Sequence, residues 1–145
     1  MNQQTVLFLC TNNSARSQMA EGLLNTLFKE KYKAFSAGIN PKKVNSYAIE
    51  VMKELGIDIS NHTSKSIEEF RNMTFDFVVT VCDNAKEICP FFPGKKVLHK
   101  SFEGEGAFYG PKIDIKLRDA LKFFSDCHLL CILGNYQHSY EPLFI

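Results

Sequence analysis

The sequence predicts an α/β fold, a three-layer sandwich with a central four-stranded parallel sheet. Three observations predict it. Short β-rich runs alternate with helical patterns along the chain. The runs are apolar almost throughout, as in "FDFVVTV" from Phe75 to Val81, which suits strands buried on both faces. Most of them end at a polar or reactive residue rather than at a hairpin turn.

Taken in order, the strand runs are Thr5–Leu9, Ala34–Ser36, Phe75–Val81 and Lys96–Leu98. Between the first two, Ser17–Lys31 carries Met19, Ala20, Leu23, Leu24, Leu27 and Phe28 at helical spacing. Tyr47–Leu55 does the same with Ala48, Ile49, Val51, Met52 and Leu55, and Gly56 follows it. "SIEEFRNM", Ser66–Met73, begins after Ser64 with acidic residues in its first turn, as a capped helix does. "CPFFPGKK" and "EGEGAFYGPK" read as loops rather than domain linkers. Ile113, Leu117, Leu121 and Phe124 predict a final helix extending through "CHLLCIL" to Gly134. The tail, 134–145, is left unassigned.

A chain of 145 residues that is 45% hydrophobic fits one compact domain over 1–145, since domains of roughly 100–150 residues are the commonest size. A formal net charge of +1 offers no basic field for nucleic acid or a membrane surface, so an anion site must come from local geometry. No stretch reaches the roughly 18 apolar residues of a membrane span, and no charged segment precedes an apolar run at the N-terminus. A cytoplasmic monomer is expected. In such a reducing compartment the odd set of Cys10, Cys82, Cys89, Cys127 and Cys131 does not read as a disulfide framework. Cys127 and Cys131, four apart in an apolar run, read as helix-face core.

"TVLFLCTNNSARS" carries the chemistry. In an open α/β sheet, ligands bind beyond the carboxyl ends of the strands, which is where Cys10 falls if a helix begins at Ser17. The loop of Thr11, Asn12, Asn13, Ser14, Ala15 and Arg16 can wrap backbone N–H groups around one oxyanion, and the helix N-terminus adds positive charge. The same donors stabilise a thiolate at Cys10. The planar fork of Arg16 can hold two oxygens of the anion. Asn12 and Asn13 suit left-handed backbone angles without glycine.

The segment resembles the phosphate loop of the low-molecular-weight tyrosine phosphatase fold, and more closely that of its thioredoxin-coupled arsenate reductase branch. "CTNNSARSQMAEG", "SAGI" at Ser36–Ile39, "MKELGIDISNHTS" at Met52–Ser64 and "VVTVCDNAKEICP" at Val78–Pro90 carry the resemblance, in order and spacing, to about Phe102. From about 103 the chain diverges. The resemblance implies that Cys10 attacks arsenate with Ser17 helping to hold its thiolate. Cys82 then attacks Cys10 and releases arsenite, and Cys89 attacks Cys82 to leave a Cys82–Cys89 disulfide for thioredoxin to reduce. No bound cofactor or metal is implied for this relay. If Asp83–Ile88 were helical, the two thiols would stand roughly 10 Å apart along the axis. A disulfide tolerates a Cα separation of only roughly 4.4–6.8 Å, so the segment would have to unwind. Two alternatives stay open: a low-molecular-weight phosphatase, and a non-catalytic oxyanion-binding or redox-sensing module.

Two departures from the family accompany this. The resembled reductases hold potassium with an asparagine, a glutamate, a serine and an aspartate; Asn13, Glu21 and Ser36 match the first three, but Lys65 stands fourth. Lys65 either pairs with Glu21 in the ion's place or is an ordinary solvated lysine. The family's Asp-Pro loop is also missing: "SFEGEGAF" offers only Glu103 or Glu105 as a candidate general acid. His62, His99, His128 and His138 show no paired helical spacing and no acidic partner in sequence, and read as surface or packing residues. Ala15 stands where some relatives have a cysteine, which removes a competing thiol.

Overall fold

A computed structural model describes residues 3–81 and 92–99. Within them four strands, β1 (Gln4–Cys10), β2 (Tyr32–Gly38), β3 (Phe77–Thr80) and β4 (Lys96–His99), form one parallel sheet in the order β2-β1-β3-β4. Helices α1 (Arg16–Leu27) and α2 (Ser46–Lys53) lie between them in sequence. The α/β class and the four-stranded parallel sheet are as predicted. The predicted final helix and the tail lie outside the described residues.

The central strand explains why an all-apolar run is a strand here. Val6, Leu7, Phe8 and Leu9 are all fully buried, because successive side chains point to opposite faces and both faces are covered. Val6, Phe8 and Cys10 join a core with Met19, Leu23, Ala48 and Met52 from α1 and α2. Leu7 and Leu9 join a second core with Ile67, Phe70, Phe75 and Phe92. On that side Phe35, Phe70, Phe75 and Phe92 pack edge to face, with centroids 5.6–6.0 Å apart.

Element limits differ from the sequence expectation for identifiable reasons. The first helix starts at Arg16 rather than Ser17 and stops at Leu27 instead of Lys31. Phe28 leaves helical angles, and its carbonyl accepts from the N–H groups of Lys31 and Tyr32, which turns the chain into β2. Tyr32 extends that strand because it packs on Phe77 at 6.4 Å. α2 is capped by the Asn45 side chain, which accepts from the Tyr47 and Ala48 N–H groups. It closes where Gly56, at φ 76°, turns the chain so that Ile57 N–H reaches the Met52 carbonyl.

The predicted helix Ser66–Met73 is a single 3-10 turn, Ile67–Phe70. Its cap is Ser66, not Ser64, in a reciprocal box with Glu69. Ser64 is occupied elsewhere, donating to the Asn13 and Lys42 carbonyls. One turn suffices to set Ile67 and Phe70 on the sheet, and Met73 is already exposed.

β3 is shorter than Phe75–Val81 because Asp76 serves a different purpose. Its carboxylate accepts from the Thr5 N–H at 2.9 Å, and its own N–H donates to Thr5 Oγ1 at 3.1 Å. This reciprocal pair aligns the starts of β1 and β3. The Thr5 N–H, aided by Lys95 nearby, holds the Asp76 carboxyl below the usual carboxylate range. A depressed value means that the stabilisation is complete above the unfolded-state value of about 3.9 and fades as pH falls through the lower folded value. Asp76→Ala should therefore cost about 1 kcal/mol near neutrality. In thermal melts the gap to the parent protein should be constant above about pH 5 and should narrow below about pH 4.

Candidate functional site

The sheet order puts β1 between strands reached in opposite directions, β2 on one side and β3 on the other. Ligands of open α/β sheets bind at such a switch point, beyond the strands' carboxyl ends. Cys10 is the last residue of β1, is almost fully buried, and leads directly into the loop before α1.

The loop's carbonyls all look outward. Thr11, Asn12 and Ser14 accept from the N–H groups of Asn40, Lys42 and Asn45, each at 2.9 Å, and Ala15 accepts from Met19. The Asn13 carbonyl accepts from Ser64 Oγ at 2.7 Å and from Gln18 Nε2 at 3.2 Å. Across a trans peptide the following N–H points opposite to its carbonyl. The N–H groups of residues 12 to 16 are thereby turned toward the loop interior, where they can cradle an anion. Asn13 N–H shows the direction, donating to Cys10 Sγ at 3.0 Å.

Cys10 Sγ also lies 2.9 Å from Ser17 Oγ. Asn13 Nδ2 donates to that same oxygen at 2.8 Å, which leaves the Ser17 hydroxyl hydrogen free to point at the sulfur. Two hydrogen-bond donors thus converge on one buried sulfur. α1 begins with Ala15 at its N-cap position and no side-chain cap. Alanine is among the poorest residues there, and the orphan N–H groups it leaves suit an oxyanion. Arg16, the first residue of α1, is half-buried beside them. Thr11 Oγ1 is a buried side-chain atom without a hydrogen-bond partner among the described residues.

Asn13 is the hub. It is fully buried and is the one non-glycine residue with positive φ, 49°, among the described residues. The left-handed angle expected of both asparagines falls on Asn13 and not on Asn12, and Asn13 is the one held through both its carbonyl and its side chain. Its Oδ1 accepts from Gln18 Nε2 at 2.9 Å and from Lys65 N–H at 2.8 Å. Gly38, where β2 ends, abuts the same loop: a Cβ there would come within 2.7 Å of the Thr11 carbonyl and 2.8 Å of the Asn13 nitrogen. Glycine is required by this close approach.

Behind the loop lies a charged cluster. Glu21, buried, accepts from Ser36 Oγ at 3.2 Å and stands 3.5 Å from Lys65 Nζ on one oxygen. Its other oxygen is 3.1 Å from His62 Nδ1, which also faces Gln18 Oε1 at 3.0 Å. The sequence reading of His62 as a surface or packing residue without an acidic partner is corrected here. Gln18 was passed over altogether. Neither carried a signal, since the segment around residue 62 reaches α1 only through the tertiary fold.

The residues brought together are Cys10, the loop through Arg16, and Ser17. Cys82, Cys89, Glu103, Glu105, Cys127 and Cys131 lie outside the described residues, as do His128 and His138 and the side chain of His99. Val81, the residue before Cys82, is nevertheless described: its N–H donates to the carbonyl of Leu9, the residue before Cys10, at 2.8 Å. Among the described residues no group of three or more His, Cys, Asp or Glu side chains could hold a metal ion. None of the described helices is long and apolar enough to cross a membrane.

The chain is similar in sequence and fold to known proteins. Residues 5–103 match the sequence model of the low molecular weight phosphotyrosine protein phosphatase family. Arsenate reductase 2 of Staphylococcus saprophyticus subsp. saprophyticus is 50% identical over 93 residues, which span 64% of this chain and 71% of that protein. A solved arsenate reductase in the phosphate binding state superposes with a TM-score of 0.68 at 27% identity, covering 92% of this chain and all of the other. The thioredoxin-dependent arsenate reductase of Corynebacterium glutamicum gives a TM-score of 0.67 at 27% identity, over 91% of this chain and 63% of its own. The chain belongs to the low molecular weight phosphotyrosine protein phosphatase family, on the side of its arsenate reductases.

Proposed function

We propose that the protein reduces arsenate to arsenite by a relay of three thiols, drawing electrons from thioredoxin or a similar dithiol protein in the cytoplasm. The observation that carries the proposal is the convergence of the Asn13 N–H and the Ser17 hydroxyl on Cys10 Sγ, at 3.0 and 2.9 Å. It occurs inside a loop whose carbonyls face away from the sulfur. Identities of 50% and 47% to two curated arsenate reductases support the choice of reaction.

In this reading the Cys10 thiolate attacks arsenic(V), displacing hydroxide as water once it is protonated. The loop N–H groups and the Arg16 fork hold the remaining oxygens. Cys82 attacks Cys10 Sγ, the sulfur–arsenic electron pair passes to arsenic, and arsenite leaves as arsenic(III). Cys89 then attacks Cys82, freeing Cys10 as a thiol and leaving a Cys82–Cys89 disulfide. Two electrons and two protons from the external dithiol restore the enzyme. The hydrogen bond between Val81 and Leu9 supports the first exchange, because it ties the residue preceding each thiol to the other. Thiol exchange makes a lighter demand for a general acid than release of an alkoxide, which fits the missing Asp-Pro loop; Glu103 and Glu105 remain the candidates for any proton transfer.

Incubation with arsenate, thioredoxin, thioredoxin reductase and NADPH should give arsenate-dependent NADPH oxidation. Cys10→Ser and Cys82→Ser should each abolish it, while Cys82→Ser retains whatever aryl phosphate hydrolysis the parent shows. Aryl phosphate turnover without arsenate-dependent oxidation would instead make the protein a phosphatase, and silence in both assays would favour a binding module. Ser17→Ala removes one donor to the sulfur, so kcat/KM for arsenate and the alkylation rate of Cys10 at neutral pH should fall together by about tenfold.

A further inference from the structure

A carboxylate as buried as Glu21 calls for counter-charge and hydrogen-bond donors around it. Both are supplied by the chain itself. Oε1 meets the Ser36 hydroxyl at 3.2 Å and the Lys65 ammonium at 3.5 Å, and Oε2 meets His62 Nδ1 at 3.1 Å. The ammonium is held a second time by the Thr63 carbonyl at 3.1 Å. The Lys65 side chain is half-buried, with 23% exposure.

This arrangement decides whether potassium fits. A hard monovalent cation needs several oxygen lone pairs directed at one point. Glu21 Oε1 is taken by Ser36 and Lys65, and position 65 supplies an ammonium where a carboxylate would complete the set. The residues present do not fit potassium.

We propose that the Lys65 ammonium is a built-in counter-cation for Glu21, which takes over the place of a bound potassium ion and positions the phosphate loop. Lys65 meets the loop only behind it, at the Asn13 side chain, and not at the sulfur or the inward-facing N–H groups. It acts through its own backbone, whose N–H holds Asn13 Oδ1 and whose carbonyl accepts from Gly38 N–H at 2.9 Å. The ammonium pins this segment to α1, and the segment pins Asn13 in its left-handed conformation. Lys65 is a positioning residue, and the activity part of this inference rests on the arsenate reductase reading.

The test compares the parent protein, Lys65→Met and Lys65→Asp in potassium, sodium and choline chlorides at equal ionic strength. Thermal melting and arsenate reductase kcat/KM are the two readouts. The parent should melt and turn over identically in all three salts. Lys65→Met should melt lower and lose about tenfold in kcat/KM in every salt, as removal of such a supporting partner does. Lys65→Asp, which restores the carboxylate, should be impaired in choline and recover both melting temperature and kcat/KM in potassium, with sodium less effective. A parent protein whose melting temperature or activity rises specifically with potassium would overturn the proposal, as would a Lys65→Met protein equal to the parent in both readouts. Melting needs no substrate, so it decides the point even if the protein proves inactive on arsenate.

Discussion

Everything at this site depends on holding Asn13 in a conformation that an ordinary residue resists. At φ 49° its backbone turns the loop back over Cys10, so that its N–H reaches the sulfur and its carbonyl faces away. A left-handed backbone is costly without support. The support is dense: Gln18, Ser64 and Lys65 grip its oxygens, and its own amide nitrogen grips Ser17. That last bond aims the Ser17 hydroxyl at the sulfur. One residue therefore shapes the anion cradle and prepares the thiol beneath it.

The sheet delivers this loop to the right place. β1 is central, apolar on both faces and flanked by β2 and β3 in parallel register. Its carboxyl end is where the two winding directions diverge, and Gly38 at the end of β2 lets the loop lie against the neighbouring strand without a side chain between them. The segment 62–66 then closes over the back of the loop, with a bridge between Gly38 and Ser66 and the Glu21 cluster beneath. Ser64 serves that closure instead of capping the turn that follows, which is why the cap falls to Ser66.

What could be read in advance follows the range of the interactions. Strands and helices were legible because burial imposes a period on the sequence, and the Cys10 loop because a strand, a thiol, small polar residues and a helix start are consecutive. The first helix, extended by four residues too many, and the 3-10 turn taken for a helix, failed where tertiary packing overrode local pattern: Tyr32 belongs to the sheet, and Ile67 with Phe70 needs only one turn to reach it. Gln18 and His62 were illegible, since His62 meets Glu21 and Gln18, and Gln18 meets the Thr63 carbonyl, only across more than 40 positions of chain. Lys65 stood between two readings in sequence, and the 3.5 Å approach to Glu21 favours pairing.

In the proposed relay the Cys10 thiol passes its oxidation outward through two further cysteines. The direct measurement is a single turnover of reduced protein with arsenate and no reductant, followed by quantification of arsenite and peptide mapping of the disulfides under acid quench. The relay predicts arsenite in amounts stoichiometric with protein, a Cys82–Cys89 disulfide, and Cys10 recovered as a free thiol. Arsenite release without that disulfide, or a product in which Cys10 alone is modified and no arsenite appears, would contradict it.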